Sequence, residues 1–185
     1  MEGDPNIQMV TALRQATQGD SQAFESLVRH HQTMVFSIAF HFLRNRMQAE
    51  DVAQDVFLEL FQRLRQIQSP AHLTFWLRRV TVNRCIDQTR RRKPETPLED
   101  VSEPRAAVVS GDPLLSERLQ QSVAALPDRK RAVVILRFQE GLDLAEIAEV
   151  LEMPLNTVKS TLQRSLLELR KKLTRKLGEV RYAIF

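Results

Sequence analysis

Cysteine, glycine and long apolar runs are all scarce in this 185-residue sequence. The single cysteine, Cys85, excludes an intrachain disulfide and is typical of a protein from a reducing compartment. Because there are only five glycines and few runs of strand type, we expect a mostly helical chain. The longest apolar stretch, residues 34–43, is broken by Ser37 and His41 and is too short to span a bilayer. No signal peptide is evident either. We predict a cytoplasmic protein without direct membrane insertion.

Motifs for catalysis are also missing. The sequence has no phosphate-binding glycine loop, no nucleophile elbow and no paired catalytic carboxylates. Three of its four histidines, His30, His31 and His41, could form a metal set, but histidine is more often a surface or core residue. We therefore expect a binding protein that has no cofactor, no metal site and no enzymatic activity.

Charge is distributed unevenly along the chain. The net charge is only +4, yet residues 71–93 contain seven Arg or Lys and a single acid, Asp87. Residues 94–112 reverse this balance, with five acids and one base, Arg105. A basic segment confined to one region is the distribution expected of a nucleic-acid contact.

Apolar periodicity predicts two blocks of helices. In the first block, helices are expected at residues 7–17, 20–43, about 48–68 and 73–92, and in the second at 114–126, 129–139, 144–151 and 156–177. The last helix is expected to bury Val158, Leu162, Ser165, Leu166, Leu169 and Leu173. Prolines and acids without helical period lie between the blocks. We predict an all-α protein of two small helical domains, residues 1–93 and 113–177, joined by a flexible linker, residues 94–112, and followed by a tail, residues 178–185.

A helix-turn-helix pattern covers the second block from Leu144 to about Leu173. In such a motif the start of the second helix enters the major groove of DNA. Side chains at that start that can contact base edges and phosphates are Thr157, Lys159, Ser160, Thr161, Gln163 and Arg164. A plain helical hairpin with a solvated face has the same spacing, so this block alone leaves both interpretations open.

The fourth helix of the first block carries an aromatic, basic face. Residues at three- and four-residue steps share this face: Trp76, Arg79, Val80, Asn83, Asp87 and Arg90. Aromatic rings and guanidinium planes stack on unpaired bases, and an amide can read an exposed base edge. The alternatives are a tryptophan that fills the core and basic residues that favour a helix C-terminus.

The third helix has an acidic face opposite its core stripe. This face carries Asp51, Gln54, Asp55, Leu58 and Gln62. Leu58 and the nearby Phe61 are apolar where solvent is expected, and apolar anchors in a polar face suit a partner helix. An ordinary solvated face is the alternative interpretation.

Three segments, in this order, resemble bacterial sigma factors. Residues 49–57, AEDVAQDVF, resemble the segment that binds RNA polymerase, and residues 75–87, FWLRRVTVNRCID, resemble the promoter-melting helix that follows it. LPDR at 126–129, EIA at 146–148 and TVKS at 157–160 resemble the last domain. Two domains with nothing substantial between them is the plan of the extracytoplasmic-function (ECF) group, and the resemblance covers about residues 20–173.

The resemblance implies a role for each surface. The positions that match the contact with the clamp of the largest polymerase subunit are Asp51, Gln54, Asp55 and Leu58. The positions that match the minus-10 contact and its base pocket are Gln68, Ser69, Pro70, Trp76, Arg79 and Asn83. The positions that match the minus-35 helix are Thr157, Lys159, Ser160, Thr161, Gln163 and Arg164. Further partners implied are promoter DNA, the flap of the second-largest subunit and an anti-sigma factor.

Two positions depart from the family pattern. Asn156 stands where the family usually has glycine, and Thr161 where it usually has arginine. The missing arginine removes a phosphate contact, so minus-35 affinity or sequence choice is expected to differ. Two other functions remain open: a stand-alone helix-turn-helix regulator that acts without core polymerase, and a helical adaptor that binds only protein.

Overall fold

The computed structural model describes residues 5–91 and 113–182, with side chains at 7–91 and 116–174. All regular structure in these ranges is helical, which confirms the all-α prediction. The predicted linker, residues 94–112, and residues 183–185 of the predicted tail lie outside the described residues. The chain divides into two compact units, residues 1–93 (unit 1) and 94–185 (unit 2).

Unit 1 is built around one long central helix. Its helices are α1 (Pro5–Thr17), α2 (Ser21–Leu43), α3 (Arg46–Arg63) and α4 (Pro70–Arg91), with a short 3₁₀ turn at Leu64–Gln66. Helix α2 packs against the other three. Its interior side chains are fully or almost fully buried, and they include Leu27, Val35, Ile38 and Phe42. Burial of each such side chain contributes about 1.5–3 kcal/mol, so this stripe holds the unit together.

Local capping sets where two of these helices begin. The Asp20 carboxylate accepts hydrogen bonds from the backbone N–H groups of Gln22 and Ala23, at 2.9 and 3.1 Å. Asn45 caps α3 in the same way through the N–H of Gln48, at 3.0 Å. Each cap satisfies N–H groups that have no partner within the helix. Asp20 and Ser21 are both residue types that cap helices, and the structure selects Asp20.

A buried histidine lies on α2 at the centre of unit 1. His31 is only 5% exposed, and its Nε2 atom has no hydrogen-bond partner. Burial lowers the pKa of His31 from 6.5 to about 4, and the neighbouring His30 and Arg78 act in the same direction. The ring is therefore neutral in the folded protein at pH values where the unfolded chain takes up a proton.

We expect unit 1 to lose stability as the pH falls from about 6.5 to about 4, because the unfolded state alone binds the His31 proton in this interval. The loss over the whole interval is about 3 kcal/mol. In urea unfolding, His31→Phe should abolish this part of the pH dependence of the free energy of unfolding. His30→Phe, at the exposed neighbouring position, should keep it. An unchanged pH slope in His31→Phe would contradict the prediction.

Unit 2 has four helices: α5 (Pro113–Ala124), α6 (Asp128–Phe138), α7 (Leu144–Val150) and α8 (Leu155–Tyr182). Helix α6 is buried along five consecutive residues, 132–136, because it packs against α5, α7 and α8. Leu126, Val134 and Leu169 form a core cluster among these elements. Gly141, at φ 68°, allows the chain to turn sharply from α6 toward α7.

The last helix differs from the sequence-based prediction in two ways. It does not end before Gly178 but continues to Tyr182, since one glycine costs only about 1 kcal/mol within a helix. Leu166, predicted to be buried, is 42% exposed, whereas Val158, Ser165 and Leu169 are buried as predicted. The buried face is therefore narrower than the apolar stripe.

The turn between α7 and α8 places Glu152 in the left-handed region, at φ 50°. A side chain in that conformation costs about 1–2 kcal/mol, and turns of this motif often contain glycine. Relief of this strain outweighs the extra freedom that glycine has in the unfolded chain. We therefore expect Glu152→Gly to stabilise unit 2 by about 0.5–1 kcal/mol, seen as a higher Tm in calorimetry. Glu152→Gln keeps the strain but removes the charge. Equal stabilisation by both variants would assign the effect to the carboxylate instead.

Candidate nucleic-acid interfaces and protein-binding face

The outer face of α3 is acidic and amide-bearing, as the sequence predicted. Asp51, Gln54 and Asp55 are all exposed on it. Leu58 is 61% exposed and Phe61 is 66% exposed on the same helix. Two large apolar side chains that remain in solvent beside carboxylates are typical of a surface that binds a protein.

An apolar groove of about 880 Å³ lies between α2 and α3, next to this face. Its lining residues are Phe24, Val28, Gln32, Thr33, Phe36, Glu50, Ala53, Gln54, Phe57, Leu58 and Phe61. The rings of Phe24 and Phe61 meet edge to face across it, with centroids 5.3 Å apart. Gln54 and Leu58 belong to both the groove and the outer face, so the two form one continuous surface.

Sequence reasoning did not identify this groove. Apolar periodicity places Phe24, Val28, Ala53 and Phe57 on the core stripes of α2 and α3, but each is only half-buried. The signal in the sequence is the width of those stripes, in which apolar residues stand side by side, as Val56 and Phe57 do. Apolar periodicity reports which face points inward, and it does not report whether another helix covers the edge of that face.

The segment before α4 is fixed by reciprocal hydrogen bonds. The N–H of His72 donates to Ser69 Oγ at 3.1 Å, and the N–H of Gln68 donates to His72 Nδ1 at 3.2 Å. Pro70 is the first helical residue, so α4 begins three residues earlier than predicted. Proline suits this position because its missing N–H would have no partner there and its φ is already helical. Gln68 is exposed, and Ser69 and Pro70 are half-buried.

Helix α4 presents the predicted aromatic and basic face. Asn83 is exposed, and Trp76 and Arg79 are half-buried, so the tryptophan does not fill the core. These three positions lie opposite the buried side of the helix, which includes Leu77 and Cys85. The structure thus brings an indole ring, a guanidinium and an amide to one accessible face, which is the set of groups used to stack on and read unpaired bases.

An ion pair between α3 and α4 was not predicted. Arg84 Nη2 donates to Glu59 Oε2 at 2.7 Å, and this hydrogen bond raises the pKa of Arg84. The other Glu59 oxygen lies 3.3 Å from Nε of Arg63. No short-range sequence pattern indicates that residues 25 apart will meet, because the pairing depends on how two helices pack.

The helix-turn-helix of unit 2 consists of α7, a turn at residues 151–154 and the first half of α8. Asp143 and Glu146 form a reciprocal capping box that fixes the start of α7, with bonds of 2.7 and 2.8 Å. At the start of α8 the exposed residues are Thr157, Lys159, Gln163 and Arg164, and the half-buried ones are Ser160 and Thr161. Val158 and Ser165 are buried behind them, so α8 is held with its polar side outward.

Ion pairs and a hydrogen bond also connect α8 to the rest of unit 2. Lys130 on α6 lies 2.8 Å from Glu168, and Lys172 lies 3.0 Å from the same carboxylate. Hydrogen bonds from both lysines lower the pKa of Glu168. Lys172 also donates to the carbonyl of Ala125 at 3.3 Å. This network orients the second half of α8 and leaves its first half available for a ligand.

Neither a membrane span nor a metal cluster occurs in the part of the chain that the structure describes. No helix there is long and apolar enough to cross a bilayer. No three His, Cys, Asp or Glu side chains within residues 5–91 and 113–182 are grouped so that they could hold a metal ion, and His30, His31 and His41 do not form one.

Two family models match the chain, one in each unit. Sigma-70 region 2 matches residues 27–95, which include the α3 face, all of α4 and every lining residue of the α2–α3 groove except Phe24. Sigma-70, region 4, matches residues 116–169, which include the helix-turn-helix. The two matches occur in the order that the sequence segments predicted.

Similar proteins extend over nearly the whole chain. The ECF RNA polymerase sigma factor SigW of Bacillus subtilis is 31% identical over 178 residues, covering 87% of this chain and 94% of the relative. SigE of Mycolicibacterium smegmatis, also an ECF sigma factor, is 34% identical, covering 91% and 69%. The sigma factor RpoE of Bartonella quintana, solved with the anti-sigma factor NepR, shares the fold at a TM-score of 0.69 and 20% identity, covering 82% and 96%. The chain belongs to the ECF RNA polymerase sigma factors.

Proposed function

We propose that this protein binds core RNA polymerase and directs promoter-specific initiation of transcription through minus-10 and minus-35 elements. One observation carries the proposal: two separate compact units each hold a nucleic-acid face of a different kind. The α4 face of unit 1 has groups suited to unpaired bases, and the α8 face of unit 2 has groups suited to a duplex groove. The protein acts by binding and performs no enzymatic reaction itself.

The α3 face is the proposed contact with the clamp of the largest polymerase subunit. Asp51 and Asp55 supply negative charge for a basic partner, and Gln54 supplies hydrogen bonds. The exposed Leu58 supplies an apolar anchor. Gln54 and Leu58 also line the α2–α3 groove. The bound segment of the clamp would therefore meet apolar surface on one side and carboxylates on the other.

Unit 1 is proposed to open and read the minus-10 element. Unstacking a base costs a few kcal/mol, which stacking and hydrogen bonds to the extruded base offset. Trp76 and Arg79 provide flat groups for stacking, and Asn83 provides an amide for a base edge. The rigid segment formed by Gln68, Ser69 and Pro70 is the proposed wall of the base pocket.

Unit 2 is proposed to read the minus-35 element in duplex form. The contact residues proposed are Thr157, Lys159, Ser160, Thr161, Gln163 and Arg164. Lys159 and Arg164 lie on two flanks of the exposed side of α8, where they can reach phosphates or guanine. Asn156 and Thr161 stand where the family usually has glycine and arginine, so the minus-35 preference is proposed to differ from the common pattern.

Core polymerase is proposed to fix the distance between the two DNA contacts. Each unit alone presents a small contact surface, and two contacts on separate units reinforce each other only when both can be reached together. Holding the units in place raises the effective concentration of the second contact once the first has formed. We therefore expect weak promoter binding by the free protein and strong binding by the holoenzyme.

Further partners follow from the family. We propose that unit 2 contacts the flap of the second-largest subunit and that an anti-sigma factor controls the protein, as in the solved complex of RpoE with NepR. Each of these partners, like the promoter, is available in the cytoplasm, where we propose that the protein acts.

The experiment that tests the proposal combines a pull-down of bacterial core RNA polymerase with run-off transcription from a promoter library. Polymerase binding with transcription from a defined pair of elements is the expected result, and it also supplies the promoter sequence. Duplex binding without polymerase binding would instead indicate a stand-alone regulator. Polymerase binding without transcription from any defined pair of elements would indicate an adaptor.

A further inference from the structure

The ion pair between Glu59 and Arg84 joins α3, which carries the proposed polymerase-binding face, to α4, which carries the proposed minus-10 face. Glu59 follows Asp55 by one turn on α3, the proposed polymerase-binding helix, and Arg84 directly follows Asn83 on α4. The Glu59 side chain is 16% exposed and that of Arg84 is 41% exposed, so the pair lies at the rim of the contact between the helices. A partly shielded, directional bond of this kind is stronger than an ion pair in open solvent, such as Arg29 with Glu25.

The surroundings of Arg84 argue against a direct phosphate contact. Besides Glu59, the carboxylates of Asp55 and Asp87 also attract this guanidinium. With Arg63 on the other side of Glu59, the cluster holds three acids and two bases. A phosphate approaching Arg84 would meet no net positive charge, so the function of this arginine is to hold α4 in place rather than to bind DNA.

Helix α4 is held first by its packing, through buried side chains that include Leu73, Leu77 and Val82. The ion pair adds a directional restraint to that packing at the rim of the contact with α3. A charge-assisted hydrogen bond depends on angle as well as on distance. Together with the packing, it limits rotation of α4 about its axis, and that rotation decides where Asn83 and Arg79 point.

We propose that Glu59 and Arg84 are positioning residues for promoter opening. Their bond holds α4 against α3, so that the Trp76, Arg79 and Asn83 face meets the unpaired strand while α3 is fixed on polymerase. This inference rests on the proposed sigma function. It adds two residues that touch neither DNA nor polymerase and that govern how the opened strand is held.

The test uses holoenzyme assembled from core polymerase and the full chain. The probe is a fluorescent single-stranded oligonucleotide that carries the non-template minus-10 sequence selected by run-off transcription. Glu59→Gln and Arg84→Met should each weaken oligonucleotide binding about tenfold. The affinity of the double variant should equal that of the weaker-binding single variant, because the same bond is lost in all three. Polymerase affinity should stay unchanged, and Arg84→Lys should recover part of the loss.

A matched control is Glu168→Gln in unit 2, which breaks an interhelical ion pair of similar length, 2.8 Å to Lys130, and should leave oligonucleotide binding unchanged. If Glu59→Gln and Arg84→Met lower only the Tm and bind like wild type at a temperature where they are folded, the positioning role is wrong. If Arg84→Met alone weakens binding and also reduces its salt dependence, Arg84 contacts phosphate and the inference is overturned. If wild-type holoenzyme itself fails to bind or transcribe, the proposed sigma function fails instead.

Discussion

The double variant Lys159→Ala with Arg164→Ala is expected to lower promoter-dependent transcription roughly 100-fold while binding core polymerase normally. Both side chains are exposed on the outer side of α8, and neither takes part in the core of unit 2. Each contact with a base edge or phosphate contributes about 1–3 kcal/mol, so two lost contacts remove most of the minus-35 affinity. Run-off transcription measures the first effect, and a pull-down of core polymerase measures the second.

The same helix offers a charge-matched control. Arg170 and Lys171 are exposed on corresponding flanks of α8, two to three turns further from the start of the helix. Arg170→Ala with Lys171→Ala removes the same charge but leaves the proposed minus-35 contact residues intact. Transcription should therefore change little. If both double variants lose activity equally, α8 attracts DNA only through its overall charge. Full activity of Lys159→Ala with Arg164→Ala would favour a protein adaptor.

Asp51→Ala with Asp55→Ala is expected to weaken polymerase binding by about 10- to 100-fold and to leave the fold intact. Both residues are exposed, so no core contact is lost. If the proposed polymerase contact is correct, two carboxylates facing a basic partner favour both the rate of encounter and the lifetime of the complex. Competition for core polymerase against labelled wild-type protein measures the affinity, and thermal unfolding monitored by circular dichroism checks the fold.

Glu25 supplies the control for that experiment. It lies on α2 in an exposed ion pair with Arg29. Glu25→Ala removes a carboxylate from unit 1 and should leave polymerase affinity unchanged. Leu58→Ala should weaken binding without altering charge, which separates the apolar anchor from the carboxylates. Wild-type affinity in Asp51→Ala with Asp55→Ala would place the polymerase contact elsewhere on the unit.

Helix positions were predictable because their signals are local. Helix α2 begins next to Asp20, one of two adjacent capping residues, and α6 and α7 agree with their predicted bounds to within one residue at each end. The misplaced boundaries also have local causes. A proline in a helical pattern usually marks a boundary, and here Pro70 is itself the first residue of α4, a position well suited to proline. Gly178 was taken as a stop, although flanking helix formers carry α8 past it.

The polar residues of the candidate surfaces were also predictable, because three- and four-residue spacing assigns them to one side of a helix. Asp51, Gln54 and Asp55 emerge together on α3, and Asn83 emerges on α4 beside Trp76 and Arg79. Their proposed roles come from the resemblance to sigma factors. Spacing alone left a solvated surface as an equal alternative for each of them.

The sequence by itself determined the helical class of this protein, most helix boundaries and the polar side of each helix, because capping and periodicity act over a few residues. Only the tertiary structure decided which apolar residues stay uncovered, which charged groups meet and which histidine is buried. The α2–α3 groove, the bond between Glu59 and Arg84 and the low pKa of His31 all depend on contacts between helices that are distant in sequence. No local pattern contains those distances, because they arise only when whole helices pack together.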